Sequence, residues 1–145
     1  MLERYQNILV EIDGSKQSYE AFRRALEIAQ RDQAKVYAVI IINNSLSLLR
    51  TVAINVAYDI NIQTNAQSNL DRCRVIAHNT GFKDLHTMIL EGRSKATMLR
   101  DFIADHDIDL FLAGSKRKQF LDLLFTDSIA TKVANFTNCD VSIVK

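Results

Sequence analysis

Short apolar runs rich in β-branched residues alternate with amphipathic stretches along the chain. A run that ends at a glycine, such as Asn7–Asp13, is typical of a strand, and a run that is apolar at nearly every position indicates a strand covered on both faces. The pattern predicts five strands, over Asn7–Asp13, Lys35–Ile42, Asp84–Leu90, Asp109–Ala113 and Asp140–Val144.

Helical periodicity fills the intervals between these strands. In Ser15–Arg31 the apolar residues recur close to the i, i+4, i+7 spacing of one helix face, and the hydroxyl of Ser15 or Ser18 can cap the first turn. The pattern predicts further helices over about Tyr58–His78, over about Ser94–His106 and across the segment from Leu124 to Phe136. Asparagines interrupt the apolar positions of Asn43–Asn69, so its first part is predicted to be a loop with a short helical piece.

Strands that alternate with helices predict an α/β fold, a doubly wound five-stranded parallel sheet with helices on both faces and right-handed crossovers. In such sheets ligands bind beyond the carboxyl ends of the strands, where the strand order reverses. The residues at that edge would be Asp13–Gly14, Ile41–Ile42, Gly92 and Gly114–Ser115.

Length and charge limit the possible functions. A chain of 145 residues suits one domain, expected over residues 1–145. Its net charge of +1 is too small to attract nucleic acid or anionic lipid electrostatically, so neither partner is expected. The dense basic run Lys116–Lys118 is either a solvated loop or a site for an anion or an acidic partner.

The cysteines and the apolar runs indicate a location. Cys73 and Cys139 stand alone, which suits a reducing compartment. The first residues lack the apolar segment of a signal peptide, and no apolar run approaches the length of a membrane span. We therefore expect a cytoplasmic protein without a membrane partner.

Catalytic and metal-binding signatures are missing from the sequence. The three histidines, His78, His86 and His106, fall on different segments without metal-ligand spacing, and no nucleophile elbow or Walker loop occurs. We expect no metal site and no catalytic residue.

Four segments, in this order and spacing, resemble the universal stress protein (UspA-type) family, whose fold belongs to the adenine-nucleotide α-hydrolase-like group. They are Ile8–Ser15 with the alanine-rich helix that follows, Leu90–Gly92, Asp109–Ser115, and Ser128–Val133 leading to Cys139–Val144. The resemblance covers most of the chain except Asn43–Asn69.

The resemblance implies a nucleotide site, but the phosphate loop is degenerate. Family members that bind ATP carry G-x2-G-x9-G-[ST] after the fourth strand; here Gly114 matches the first glycine, Arg117 and Asp127 replace the other two, and Ser128 matches the last position. The family's first-strand aspartate matches Asp13. The resemblance also implies that backbone near Ile41 meets the adenine and that Ser115 lies beside the phosphate turn.

The replacements should weaken ATP binding. Glycine lets backbone N–H groups approach phosphates, whereas Arg117 offers a guanidinium instead. Asp127 would place a carboxylate at a helix N-terminus that otherwise attracts an anion. Two unit charges about 4 Å apart cost about 4 kcal/mol at an effective dielectric near 20, or roughly a thousandfold in affinity.

Each of these residues also has a structural interpretation. Asp13 can cap the first helix and turn the chain, Gly114 can be a tight strand-to-loop turn, and Asp127 with Ser128 forms an ordinary N-cap pair.

The last strand suggests how the chain assembles. If it lies at a sheet edge, its unpaired backbone groups invite a second strand. Family members pair antiparallel through it, so the resemblance implies a homodimer whose contacts include Val141, Ile143 and Val144.

Three functions remain open after this comparison. The first is a stress-response regulatory or binding protein without catalysis, and the second is an ATP-binding nucleotide sensor with slow hydrolysis. The third, an enzyme of the wider α-hydrolase-like group, is disfavoured because Asp13-Gly14-Ser15-Lys16 replaces that group's pyrophosphate loop. We adopt the first, with no certain cofactor and with ATP and Mg²⁺ doubtful as ligands.

Overall fold

Five parallel strands form one sheet in the computed structural model, which describes residues 4–44, 52–115 and 138–145, with only the backbone for 52–59. The strands are β1 (Asn7–Glu11), β2 (Lys35–Asn43), β3 (Leu85–Gly92), β4 (Leu110–Gly114) and β5 (Asp140–Val144). The helices in this part of the chain are α1 (Lys16–Asp32), α2 (Val52–Asn79) and α3 (Lys95–Asp105). The helix predicted across Leu124 to Phe136 lies outside the described residues.

The strand order across the sheet is β3-β2-β1-β4-β5. Ile8 of β1 pairs with Val36 on one side and with Leu110 on the other, all in parallel register. The chain moves outward from β1 to β3, then returns to β4 on the other side of β1. The order therefore reverses between β1 and β4, and the predicted α/β fold is confirmed.

Alternate residues of the strands point to opposite faces of the sheet. One face carries α1 and α2, and its core includes Val10, Phe22 and Leu70. The other carries α3, and its core includes Leu9 and Phe102.

The prediction for the start of α2 was wrong. The helix begins at Val52, six residues before the predicted Tyr58. Its described buried positions, Ala66, Leu70, Cys73 and Ala77, recur at helical spacing in the second half. Toward Val52 apolar residues and asparagines mix without a clear period, although helix propagation carries the backbone through them.

The segment before β1 is tied to two distant elements, α1 and β5, through Tyr5. The Tyr5 N–H donates to Asp32 Oδ2 (2.9 Å), and the Tyr5 hydroxyl donates to Asp140 Oδ2 (2.8 Å). Burial, followed by that hydrogen bond, raises the pKa of Tyr5 to about 12. The hydrogen bonds from Arg31 and then from the Tyr5 N–H lower the pKa of Asp32 to about 2. These contacts fasten the amino-terminal segment at the amino end of the sheet.

Cys73 and Cys139 are both buried, and neither forms a disulfide. Burial raises the pKa of Cys73 and of Cys139 to about 12. Neither thiol is therefore a ready nucleophile.

Two kinds of feature are absent from the described ranges. Within them no helix combines the length and apolar character that a membrane crossing requires. Nor do these ranges contain a group of three or more His, Cys, Asp or Glu side chains placed to hold a metal ion.

Candidate ligand-binding crevice

The turn between β1 and α1 is built by three polar residues at the carboxyl edge of the sheet. Asp13 Oδ1 accepts a hydrogen bond from the Ser15 N–H (2.8 Å), and Ser15 Oγ accepts one from the Ser18 N–H (3.1 Å). Ser15 is therefore the N-cap of α1, while the Ser18 hydroxyl donates to the Ser15 carbonyl (2.9 Å). Asp13 turns the chain as predicted, but the cap of α1 is Ser15 and not Asp13, whose side chain stays exposed at the edge.

Helix α2 packs against the same turn and restricts it. Gly14 has φ +81°, and a Cβ there would lie 3.0 Å from Asn69 Nδ2. Asn69 Oδ1 accepts a hydrogen bond from the Tyr19 hydroxyl (2.9 Å), and the Arg72 guanidinium lies 4.3 Å from the centre of the Tyr19 ring. These contacts from α1 and α2 hold the turn, and with it Asp13, in a preformed position.

Gly114, at the end of β4, lies against the first turn of α1. A Cβ on Gly114 would lie 2.3 Å from both Gln17 C and Ser18 N, which are backbone atoms. Its φ is not positive, so the backbone conformation at Gly114 does not itself require glycine. Glycine is needed there because two backbones meet, whether or not a phosphate binds.

Ser115 is directed toward β5. Its N–H donates to the Val144 carbonyl (2.8 Å), its hydroxyl also lies 3.4 Å from that oxygen, and the residue is buried. A nucleotide contact by Ser115 stays a prediction, and the structure supplies a packing reason for the residue.

Ile41 lies near the end of β2 on the face that carries α3. It is half-buried, opposite Leu90 of β3, and packs against the cluster that contains Leu9 and Phe102. The structure thus brings Asp13, Ile41 and Gly114 to one edge, as predicted. Three further predicted contacts lie outside the described residues: Arg117, Asp127 and Ser128.

An ion pair that the sequence analysis missed lies at the same edge. Lys95 Nζ, in the first turn of α3, contacts Glu11 Oε1 at the end of β1. The Glu11 side chain is only 12% exposed and pairs in register with Val39 and Ala113. The available signal was a carboxylate within an otherwise apolar strand, Ile8–Ile12.

The predicted dimer residues lie on β5, which is an edge strand of the described sheet. Val144 is buried toward α1, whereas Val141 and Ile143 are half-buried. Any strand added at this edge would therefore pair through backbone groups, with Val144 facing the interior of its own subunit.

Comparison with known proteins gives consistent results. A UspA protein from Lactobacillus plantarum of known structure is 26% identical, with a TM-score of 0.77 over 99% of this chain and 100% of that one. A Staphylococcus saprophyticus protein that carries a provisional universal stress protein name is 26% identical over 97% of this chain and 84% of its own length.

A third comparison concerns the fold alone. A universal stress protein crystallised in complex with cAMP is 21% identical, with a TM-score of 0.70 over 98% of both chains.

The model of the universal stress protein family matches residues 4–145. This range contains the sheet, the β1–α1 turn and the glycine at the end of β4 that are described above. On these grounds the chain belongs to the universal stress protein family.

Proposed function

We propose that this chain is a non-catalytic regulatory binding protein of the cytoplasmic stress response, and that its affinity for ATP is weak or lost. One observation carries the proposal: two of the three glycines of the phosphate loop are replaced, by Arg117 and Asp127. The single domain over 1–145 would then act by binding.

The crevice, by which we mean the carboxyl edge of the sheet where Asp13, Ile41 and Gly114 lie, favours a retained ligand site of reduced affinity. Asp13 is exposed and held by the N-cap of α1, as a ligand contact should be. Gly114 remains, but its packing against Gln17 and Ser18 explains it without phosphate. The phosphate side would lose backbone donors and gain a carboxylate, so the reduced affinity would fall on ligands that carry phosphate.

Calorimetric titration with Mg-ATP tests this proposal. We expect no heat with the wild-type protein up to millimolar ATP. Asp127→Asn keeps the size of the side chain and removes its charge, so it should raise ATP affinity by about tenfold or more. Asp101→Asn makes the same change on an exposed residue of α3 and should have no effect. Micromolar ATP binding by the wild-type protein would refute the proposal.

The second candidate function is a nucleotide sensor with slow ATP hydrolysis. The exposed Asp13 supports it, as does a structural neighbour that binds cAMP, whose single phosphate needs fewer loop donors. Titration with cAMP and a phosphate-release assay with Mg-ATP separate the candidates. The sensor requires micromolar nucleotide binding, whereas phosphate release without detectable nucleotide binding would indicate a contaminating ATPase.

We further propose a homodimer formed through β5. The position of this strand at the edge of the described sheet supports it. Sedimentation equilibrium at micromolar concentration should give about twice the 16.5 kDa mass of one chain. Ile143→Asp should shift the protein toward monomer, and Val75→Asp, at an exposed position of α2, should not. A wild-type monomer would contradict the proposal.

A further inference from the structure

The ion pair between Glu11 and Lys95 occupies the middle of the crevice edge. Glu11 ends the central strand β1, and its in-register neighbours are Val39 of β2 and Ala113 of β4. It lies on the sheet face that carries α3, together with Leu9 and Ile41. Two opposite charges therefore stand at the end of β1, beside β4, where the strand order reverses.

Neither charge is placed where its own element favours it. A carboxylate near the end of a covered parallel strand gives up most of its hydration, here down to 12% exposure. Lysine in the first turn of a helix lies at the positive end of the helix dipole, which repels a cation. Each charge is thus compensated chiefly by the other. Neither the strand nor the helix stabilises its own charged residue at that position.

The position of the pair matters for any ligand that spans the crevice. The predicted base contact, Ile41, lies on β2, and the predicted phosphate turn begins at Gly114 on β4. Strand β1 lies between β2 and β4. A nucleoside that reaches from one contact to the other must pass the end of β1, where the paired side chains of Glu11 and Lys95 stand.

We propose that the Glu11–Lys95 pair determines the ligand specificity of the crevice, by closing its nucleoside side to an unmodified purine nucleoside. This inference rests on the proposed function, because it assumes that the crevice is the ligand site. A nucleoside must separate or further desolvate the two charges, and a neutral sugar or base compensates neither one fully. The barrier acts on the nucleoside, so it is independent of the carboxylate of Asp127.

Adenosine is the decisive probe because it carries no phosphate. We compare the wild-type protein with the double variant Glu11→Val/Lys95→Met, which removes both charges, restores an apolar strand residue and leaves no unpaired charge. The double variant should bind adenosine about tenfold or more tightly than the wild type, by calorimetry or ligand-observed NMR. An affinity no higher than that of the wild-type protein, in a variant with a cooperative thermal transition, would overturn the inference.

Two controls separate this inference from the proposed function. Asp127→Asn, measured with Mg-ATP, tests the proposed function, because its carboxylate opposes phosphate. The pair Glu20→Val/Arg23→Met removes a surface ion pair of α1 (3.6 Å, about half exposed) and should leave adenosine affinity unchanged. A gain in Mg-ATP affinity with Asp127→Asn, without a gain in adenosine affinity in the double variant, refutes the inference while leaving the proposed function standing.

A second variant guards against misfolding of the first. Glu11→Gln keeps the side-chain shape and removes one charge, so adenosine affinity should rise by a smaller factor than in the double variant. An unchanged or lower affinity in folded Glu11→Gln counts against the inference even if the double variant does not fold.

Discussion

Replacement of Gly114 by alanine would place a methyl group against the backbone of α1. The new Cβ would lie 2.3 Å from Gln17 C and Ser18 N, where ordinary contact begins at 3.4 Å. Strand β4 and helix α1 would have to separate by about 1 Å, because neither contacted atom belongs to a side chain that can rotate away. Since overpacking of this kind costs about 3 kcal/mol, we expect a fall in melting temperature of about 10 °C for a chain of this length.

Thermal unfolding followed by circular dichroism at 222 nm measures this change. Gly92→Ala is the matched control, because the nearest atom to its added Cβ is the flexible Met98 Sδ, at 2.8 Å. That variant should melt within about 2 °C of the wild-type protein. If Gly114→Ala melts as high as Gly92→Ala, the close approach of β4 and α1 is not rigid, and the packing explanation for Gly114 fails.

Three further predictions concern the buried polar groups. Asp32→Asn should lower the melting temperature at pH 7; because the pKa of Asp32 is depressed to about 2 in the folded chain, its contribution is present above its ordinary value of 3.8 and is lost as pH falls toward 2, where wild type and variant should converge. Convergence already at pH 5 would contradict this. Tyr5→Phe should lower the free energy of unfolding in urea by about 1–2 kcal/mol, because it removes the hydrogen bond to Asp140. The absorbance at 295 nm, which follows tyrosine ionisation, should rise equally in variant and wild type below pH 11, because Tyr5 with its pKa of about 12 stays protonated there. Cys73 and Cys139 should react with a thiol reagent only after denaturation, and fast reaction in the native protein would contradict their burial.

The sequence predicted the fold well because the signals for strands are local. The run Lys35–Ile42 is nearly continuous in apolar character, and β2 is found over Lys35–Asn43. The predicted start of α2 was wrong because the local signal is weak there. Asparagines mixed among apolar residues hide any helical period before Ala66. The sequence predicted a doubly wound parallel sheet but not the order of its strands, because the pairing of Ile8 with Leu110 depends on contacts across the whole chain.

The sequence predicted which residues lie at the edge of the site, but it did not predict the side-chain contacts between elements there. The placement of Asp13, Ile41 and Gly114 at one edge follows from parallel strands ending together. The bond from Tyr19 to Asn69 and the ion pair of Glu11 with Lys95 join residues from different elements, which no single segment reveals. A charge inside the apolar run Ile8–Ile12 marked the position of the pair, but only the fold supplied its partner.

The central position of β1 has a consequence for synthesis of the chain. Its partner β2 begins already at Lys35, whereas its partner β4 begins only at Leu110. During translation, β1, β2 and β3 with α1 and α2 have emerged well before β4 can pair, so the open side of β1 is a temporary apolar edge. A ribosome that pauses between the codons for Gly92 and Leu110 would thus prolong the interval in which this edge is open to aggregation, and a chaperone would find its binding surface there.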